Sequence, residues 1–179
     1  MKNDYPDIDG MNRAIIERHN AIVGVDDLTY FLGDFAFCSP EQAMKFMMQM
    51  NGKKILVHGN HDRKLVSSNE FRDSSIREAA GLIDDTPYMT IKHKHPDNGQ
   101  PYDIVMFHFP IHYEWDGSHR GSIHLHGHCH GEKTGMEKYR VFDVGADTND
   151  LKPYSMDALV RHLSKASICE SGHHKSNEK

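Results

Sequence analysis

Cysteine is scarce in this chain: Cys38, Cys129 and Cys169 are the three among 179 residues, and they lie far apart. Three scattered thiols make no disulfide framework, so the expected compartment is the reducing cytoplasm and the fold must rest on its core. Long apolar runs are missing too. None approaches the roughly 20 residues needed to span a bilayer, so no membrane partner is expected. The opening Met1-Lys2-Asn3-Asp4-Tyr5-Pro6 has no apolar stretch behind it, and no secretory signal is expected. Positive charge is not in excess: the net charge of −5 speaks against a surface that binds nucleic acid non-specifically. It leaves room for a small phosphorylated substrate, because bound cations reverse the local field. Tryptophan occurs once, at Trp115, as core or as a base-stacking platform. The abundant residue is histidine, with 15 copies concentrated in the second half.

The length suits one domain, expected over residues 1–169, followed by a polar and disordered tail at 170–179 that includes His173 and His174. Asp9 is placed to cap a helix over 10–20, with Met11, Ile15 and Ile16 facing inward. Leu28 to Leu32 reads as a buried strand. Ser39-Pro40 opens a helix running to about Met50, with Met44, Met47 and Met48 as core filler. Ile55-Leu56-Val57 is the next strand. Ser74 to Ala80 reads as a short helix closed by Gly81. Strands at 88–91 and 102–107 flank the turn Pro96-Asp97-Asn98-Gly99. Short strands at 122–125 and 140–144 and a helix at 155–164 follow. Early helices alternating with strands and a strand-rich second half predict an α/β fold with a mixed sheet system.

The densest chemistry is His124-Leu125-His126-Gly127-His128-Cys129-His130-Gly131. Alone, the run fits a zinc site, a general metal-binding tract or a chance cluster. Upstream stand Gly33-Asp34, Gly59-Asn60-His61-Asp62 and Phe107-His108. Each lies just beyond the carboxyl end of a predicted strand, where ligand sites gather in α/β sheets, so four loops can meet in one pocket. A two-metal phosphoesterase needs two cations about 3.5–4 Å apart and a carboxylate to bridge them. Asp34 suits the bridge, Asn60 offers an amide oxygen, and His108, His128 and His130 offer imidazole nitrogens. His61 stands where it can protonate a leaving oxygen, with Asp62 beside it to orient the ring.

In order and spacing these fragments resemble the calcineurin-like metallophosphoesterases, whose signature runs Asp-x-His, Gly-Asp, Gly-Asn-His-Asp/Glu, His and Gly-His-x-His. Leu32 to Phe37, His108-Phe109-Pro110-Ile111, Trp115-x-Gly-Ser118 and Asp143-Val144-Gly145 are similar to the small bacterial and phage-encoded members. The resemblance covers nearly the whole chain. It implies a four-layer α-β-β-α sandwich with two mixed sheets. It implies a metal-dependent hydrolase of small phosphoesters, nucleotides among them, that attacks phosphorus with a metal-bound hydroxide. Asp34 would bridge two metals, Asn60, His108 and His128 would complete one, and His130 would serve the other. His61 would contact the phosphate, and Arg120 is a further phosphate contact or a surface residue. Mn²⁺ suits the mixed oxygen and imidazole donors best, with Zn²⁺, Fe or Ni²⁺ as alternatives.

One motif is absent. Asp-x-His should lie on a strand ahead of the first helix, and none of the nine residues before Gly10 supplies it. The second metal then lacks two ligands and the first sheet a central strand. Two accounts stay open: a coding start upstream of Met1 or a split gene, and a short protein that binds one metal with little turnover. A third reading is a structural zinc module at His128, Cys129 and His130. The remaining histidines have plainer readings. His58, His124 and His126 are packing or supporting residues, His93 and His95 surface residues, and His112 and His119 surface or pocket residues. Asp143 is read as a structural residue at a strand end.

Overall fold

The computed structural model of the protein describes residues 7–169. Residues 1–6 and the tail at 170–179, with His173 and His174, lie outside the described residues.

Two sheets organise the fold. The first holds β1 (Leu28–Phe31), β2 (Lys53–Val57) and β3 (Leu82–Thr86) in that order. Both of its pairings are parallel, so among the described residues this sheet is not mixed as expected. The second holds β4 (Tyr88–Lys94), β5 (Pro101–Phe107), β6 (Ile123–His126) and β7 (Val141–Asp143). There β4 and β5 form an antiparallel hairpin, while β6 and β7 add in parallel, so this sheet is mixed.

The helices follow local chemistry. α1 (Ile8–Asn20) is capped by Asp7, whose side chain accepts from the Gly10 N–H at 2.6 Å, rather than by Asp9. Its buried residue is His19, while Met11, Ile15 and Ile16 are half-buried. α2 (Pro40–Gln49) starts as expected, with Pro40 in the first turn and the Ser39 hydroxyl accepting from Gln42 N–H. Ala43, Met44 and Met47 are its buried face, whereas Met48 is exposed. Short helices α3 (Arg63–Val66), α4 (Asn69–Arg72) and α5 (Ser74–Ala79) lead into β3, and α6 (Met156–Leu163) closes the described chain.

Alternation along the strands sets the core. Tyr102, Ile104, Met106, Ile123 and Leu125 face Leu32 and Val57 of the first sheet, and Leu159, Val160 and Leu163 of α6 pack into the same cluster. Leu56 and Leu82, on the other face of the first sheet, meet α2, α3 and α4 through Met44, Met47, Leu65 and Phe71. Val105 and Val141 face away from the first sheet and pack with Trp115, Met136 and Cys169. Trp115 is therefore core and not a base-stacking platform. Buried Lys54 closes the α2–β2 turn, its Nζ donating to the Met50 and Gly52 carbonyls at 2.7 and 2.8 Å. Among the described residues no helix is long and apolar enough to cross a membrane.

Candidate functional site

Each of the four fragments does leave the carboxyl end of a strand. Asp34 follows β1, Asn60 follows β2, His108 follows β5 and His128 follows β6, so each sheet contributes two. The loops are pressed together by glycines. Gly33 has φ +88°, and a Cβ there would lie 2.6 Å from the Gly59 backbone and collide with Nδ1 of His108. A Cβ on Gly59 would collide with the Asp34 carboxylate and amide. Gly59→Ala therefore forces the β1 and β2 loops apart, and any divalent cation held between them is expected to bind about 10–100-fold more weakly. Isothermal titration of the folded variant measures it, and unchanged affinity would show that the close approach is dispensable.

Asp62 is buried and does not orient His61. Its Oδ2 accepts from the Asp34 and Gly59 N–H groups, both at 2.8 Å, and its Oδ1 from the Phe35 N–H at 2.9 Å. One carboxylate thus ties the β1 and β2 loops. Hydrogen bonds to an ionised group contribute about 1.5–3 kcal/mol each, enough to hold Asp34 at φ 52°, a left-handed conformation uncommon for a side-chain-bearing residue.

At the centre sits His108, fully buried. Its Nδ1 lies 2.7 Å from the Leu32 carbonyl, which can only accept, so Nδ1 carries the proton. In the neutral ring Nε2 then presents a lone pair. It faces Asn60 Oδ1 at 3.0 Å and Asp34 Oδ2 at 3.3 Å, which are also acceptors. These acceptor atoms meet where Asp34 is half-buried and Asn60 and His128 are exposed, and a positive charge among them would offset their mutual repulsion. His128, itself at φ 68°, sets its ring edge-on to His108 with centroids 5.1 Å apart. Ligand atoms of Asp34, His108 and His128 all fall within 4.8 Å of one another. A carboxylate, an amide oxygen and two imidazoles form a donor set that fits Mn²⁺, Zn²⁺, Fe or Ni²⁺.

His61 is exposed beside this group. Its backbone N–H donates to Asp34 Oδ1 at 2.8 Å, and its ring rests on Phe37, centroids 4.8 Å apart. His130 stands outside the cluster, at φ 50°. Its Nδ1 is 2.7 Å from Asp147 Oδ2, and its side chain is 71% exposed. Asp147 escaped the sequence reading, although it follows β7 and the strand-end rule that singled out the others points to it as well. Asp143 supports the same loop, accepting from the Gly131 and Gly145 N–H groups at 2.9 Å.

Arg120 is not a phosphate contact in this arrangement. It precedes β6 and lines a polar recess with Gln100, Tyr102, Ser122 and Arg140, at the amino ends of β5 and β6. β5 has seven residues, about 20 Å of strand, which separates Arg120 from His108 by more than a guanidinium can reach. His58 and Arg77 both bind Asp85 at 2.8 Å, so His58 is structural. His93 pairs with Asp157 at 2.8 Å, and His95 is buried rather than on the surface. His124 and His126 are buried on the outward face of β6 and act as packing residues. The Cys129 thiol is pushed up by burial and by the Asp143 and Glu132 carboxylates.

No protein-family model matches the chain. It is 22% identical to the uncharacterized protein MJ1445 of Methanocaldococcus jannaschii, over 92% of this chain and 81% of that protein. It is 25% identical to the gene 66 protein of Mycobacterium phage L5, over 73% of this chain and 69% of that one. Among solved structures it is similar to AQ665 of Aquifex aeolicus, a protein of unknown function, with a TM-score of 0.59 and 20% identity over 90% and 89% of the two chains. The structural likeness goes with the α/β fold of two sheets described above.

Proposed function

We propose that the chain is a calcineurin-like metallophosphoesterase that hydrolyses small phosphoesters with a dinuclear divalent-metal centre, one cation of which would be held by Asp34, Asn60, His108 and His128. The observation that carries this reading is the convergence of His108 Nε2 with Asn60 Oδ1 at 3.0 Å and Asp34 Oδ2 at 3.3 Å, with His128 beside them. A cation there supplies Lewis acidity to a phosphoryl oxygen and lowers the pKa of bound water. The protein supplies the rest. Asp62 fixes the two loops, the Asp34 carboxylate is held by the His61 N–H, and the exposed His61 imidazole is free to give a proton to the leaving oxygen. Mn²⁺ is the preferred metal on donor type. The architecture that goes with this reading is the four-layer α-β-β-α sandwich. Two sheets sharing one core, with helices on the outer face of the first, support it.

A single-metal protein with little turnover is the second reading. Its support is His130, which engages Asp147 instead of the cluster. Metal counting with a turnover assay separates the two. Metal-free protein titrated with Mn²⁺ is expected to hydrolyse bis-p-nitrophenyl phosphate, with rate rising alongside occupancy. About two Mn²⁺ per chain with turnover supports the dinuclear enzyme, and one without turnover the second reading. Turnover unaffected by chelator would overturn both.

A further inference from the structure

The loops that carry the cluster also carry two exposed phenyl rings that the core does not use. On the β1 loop, Phe35 turns inward to the α2 cluster, while Phe37 points out and is 73% exposed. Its ring contact is with His61. On the β5 loop, Phe109 is 36% exposed and meets the rings of His108 and His128, with centroids 4.8 and 4.7 Å away. One ring thus rests on the proposed proton donor and the other on two proposed metal ligands. Two large apolar side chains kept in water, each against a polar residue of one site, are placed to be covered by an apolar group that enters that site. Aromatic rings favour other aromatic rings, by stacking or by edge contact.

We infer that Phe37 and Phe109 bind a planar aromatic group of the substrate, so that the preferred substrates are phosphoesters with an aryl or nucleobase ring near the phosphorus. This rests on the phosphoesterase reading above and deepens it. The phosphate goes to the Asp34–Asn60–His108–His128 group and the ring to the phenyl groups beside it. The rings act by positioning and take no part in bond making.

Phenyl phosphate and cyclohexyl phosphate test this, because they match in charge and size and differ in aromaticity. Titrated calorimetrically into Zn²⁺-loaded protein, phenyl phosphate is expected to bind about tenfold more tightly. Phe37→Leu and Phe109→Leu keep apolar bulk and remove the ring. Each is expected to reduce that preference severalfold, read as the ratio of the two ester affinities so that any change common to both esters cancels. Upfield shifts of the ligand's ring protons on binding, lost in the variants, give a readout independent of turnover. Equal affinity for the two esters, or a preference that survives both substitutions, overturns this inference and leaves the phosphoesterase reading standing. Failure of wild-type protein to bind phosphate or either ester overturns both. AMP against ribose 5-phosphate then identifies the ring: discrimination assigns a nucleobase, and its absence an aryl group joined directly to the phosphate.

Discussion

Asp34→Asn is expected to lower phosphodiester turnover more than about 100-fold, beyond the range for a supporting residue, and to weaken Mn²⁺ binding in parallel. Asparagine is the informative replacement. Asp34 sits at φ 52°, a conformation that asparagine also tolerates and alanine does not adopt readily. The amide oxygen can still accept from the His61 N–H, so the loop keeps its shape. What is lost is the negative charge 3.3 Å from His108 Nε2. Asp34→Ala removes charge and loop contact together and is expected to reduce thermal stability as well. A rate near wild type in folded Asp34→Asn would exclude Asp34 as a metal ligand, and with it the proposed chemistry. Circular dichroism and the melting temperature establish that the variant is folded.

The sequence made the positions of the site legible because strand ends are legible. Apolar runs ending in Gly33-Asp34, Gly59-Asn60 and Phe107-His108 mark where a parallel strand stops and a loop begins. The runs at β1, β2, β5 and β6 were found within a few residues. β3 is not among the expected strands, because Leu82-Ile83-Asp84-Asp85-Thr86 has a short apolar stretch followed by polar residues and gives no clear strand signal. It pairs with β2 at the sheet edge, where Ile83 is 55% exposed and Asp85 serves His58 and Arg77. Without β3, the all-parallel pairing of the first sheet among the described residues was not legible.

Direction was harder to read than position. Arg120 lies only six residues before His126, yet those residues run up β6 from the opposite end of the sheet. His128 and His130 share a motif, yet left-handed backbone at both sends one ring to His108 and the other to Asp147. Asp62 neighbours His61 in sequence but spends its oxygens on backbone amides of two loops. For the two histidines backbone dihedrals decide, and no residue type in the motif encodes them. Strained backbone at Asp34, His128 and His130 is itself a mark of a functional site, since such conformations persist only where the surroundings enforce them.

Acid should unfold this protein through His124. The ring is fully buried, its Nδ1 is 3.2 Å from the Val105 carbonyl, and its Nε2 accepts from the Ile111 N–H at 3.1 Å. Both nitrogens are therefore committed to one neutral tautomer. Protonation would turn an Nε2–H against the Ile111 N–H in a buried place, donor against donor. Burial is the main cause that lowers its pKa to about 4, against an ordinary 6.5. Because the folded value is depressed, the unfolded chain takes up the proton first. Stability from this group is whole above about pH 6.5, falls as the pH drops, and is gone near pH 4. A gap of that size corresponds to about 3 kcal/mol, a large fraction of a domain's stability. Burial lowers the pKa values of His126 and His19 as well, so the acid limb should exceed one proton in steepness. Urea unfolding at steps from pH 7.5 to 4.5 measures it. His124→Gln, which does not titrate, is expected to be less stable at neutral pH and to lose about one proton from the slope. An identical slope in a folded His124→Gln would place the acid sensitivity at groups other than His124.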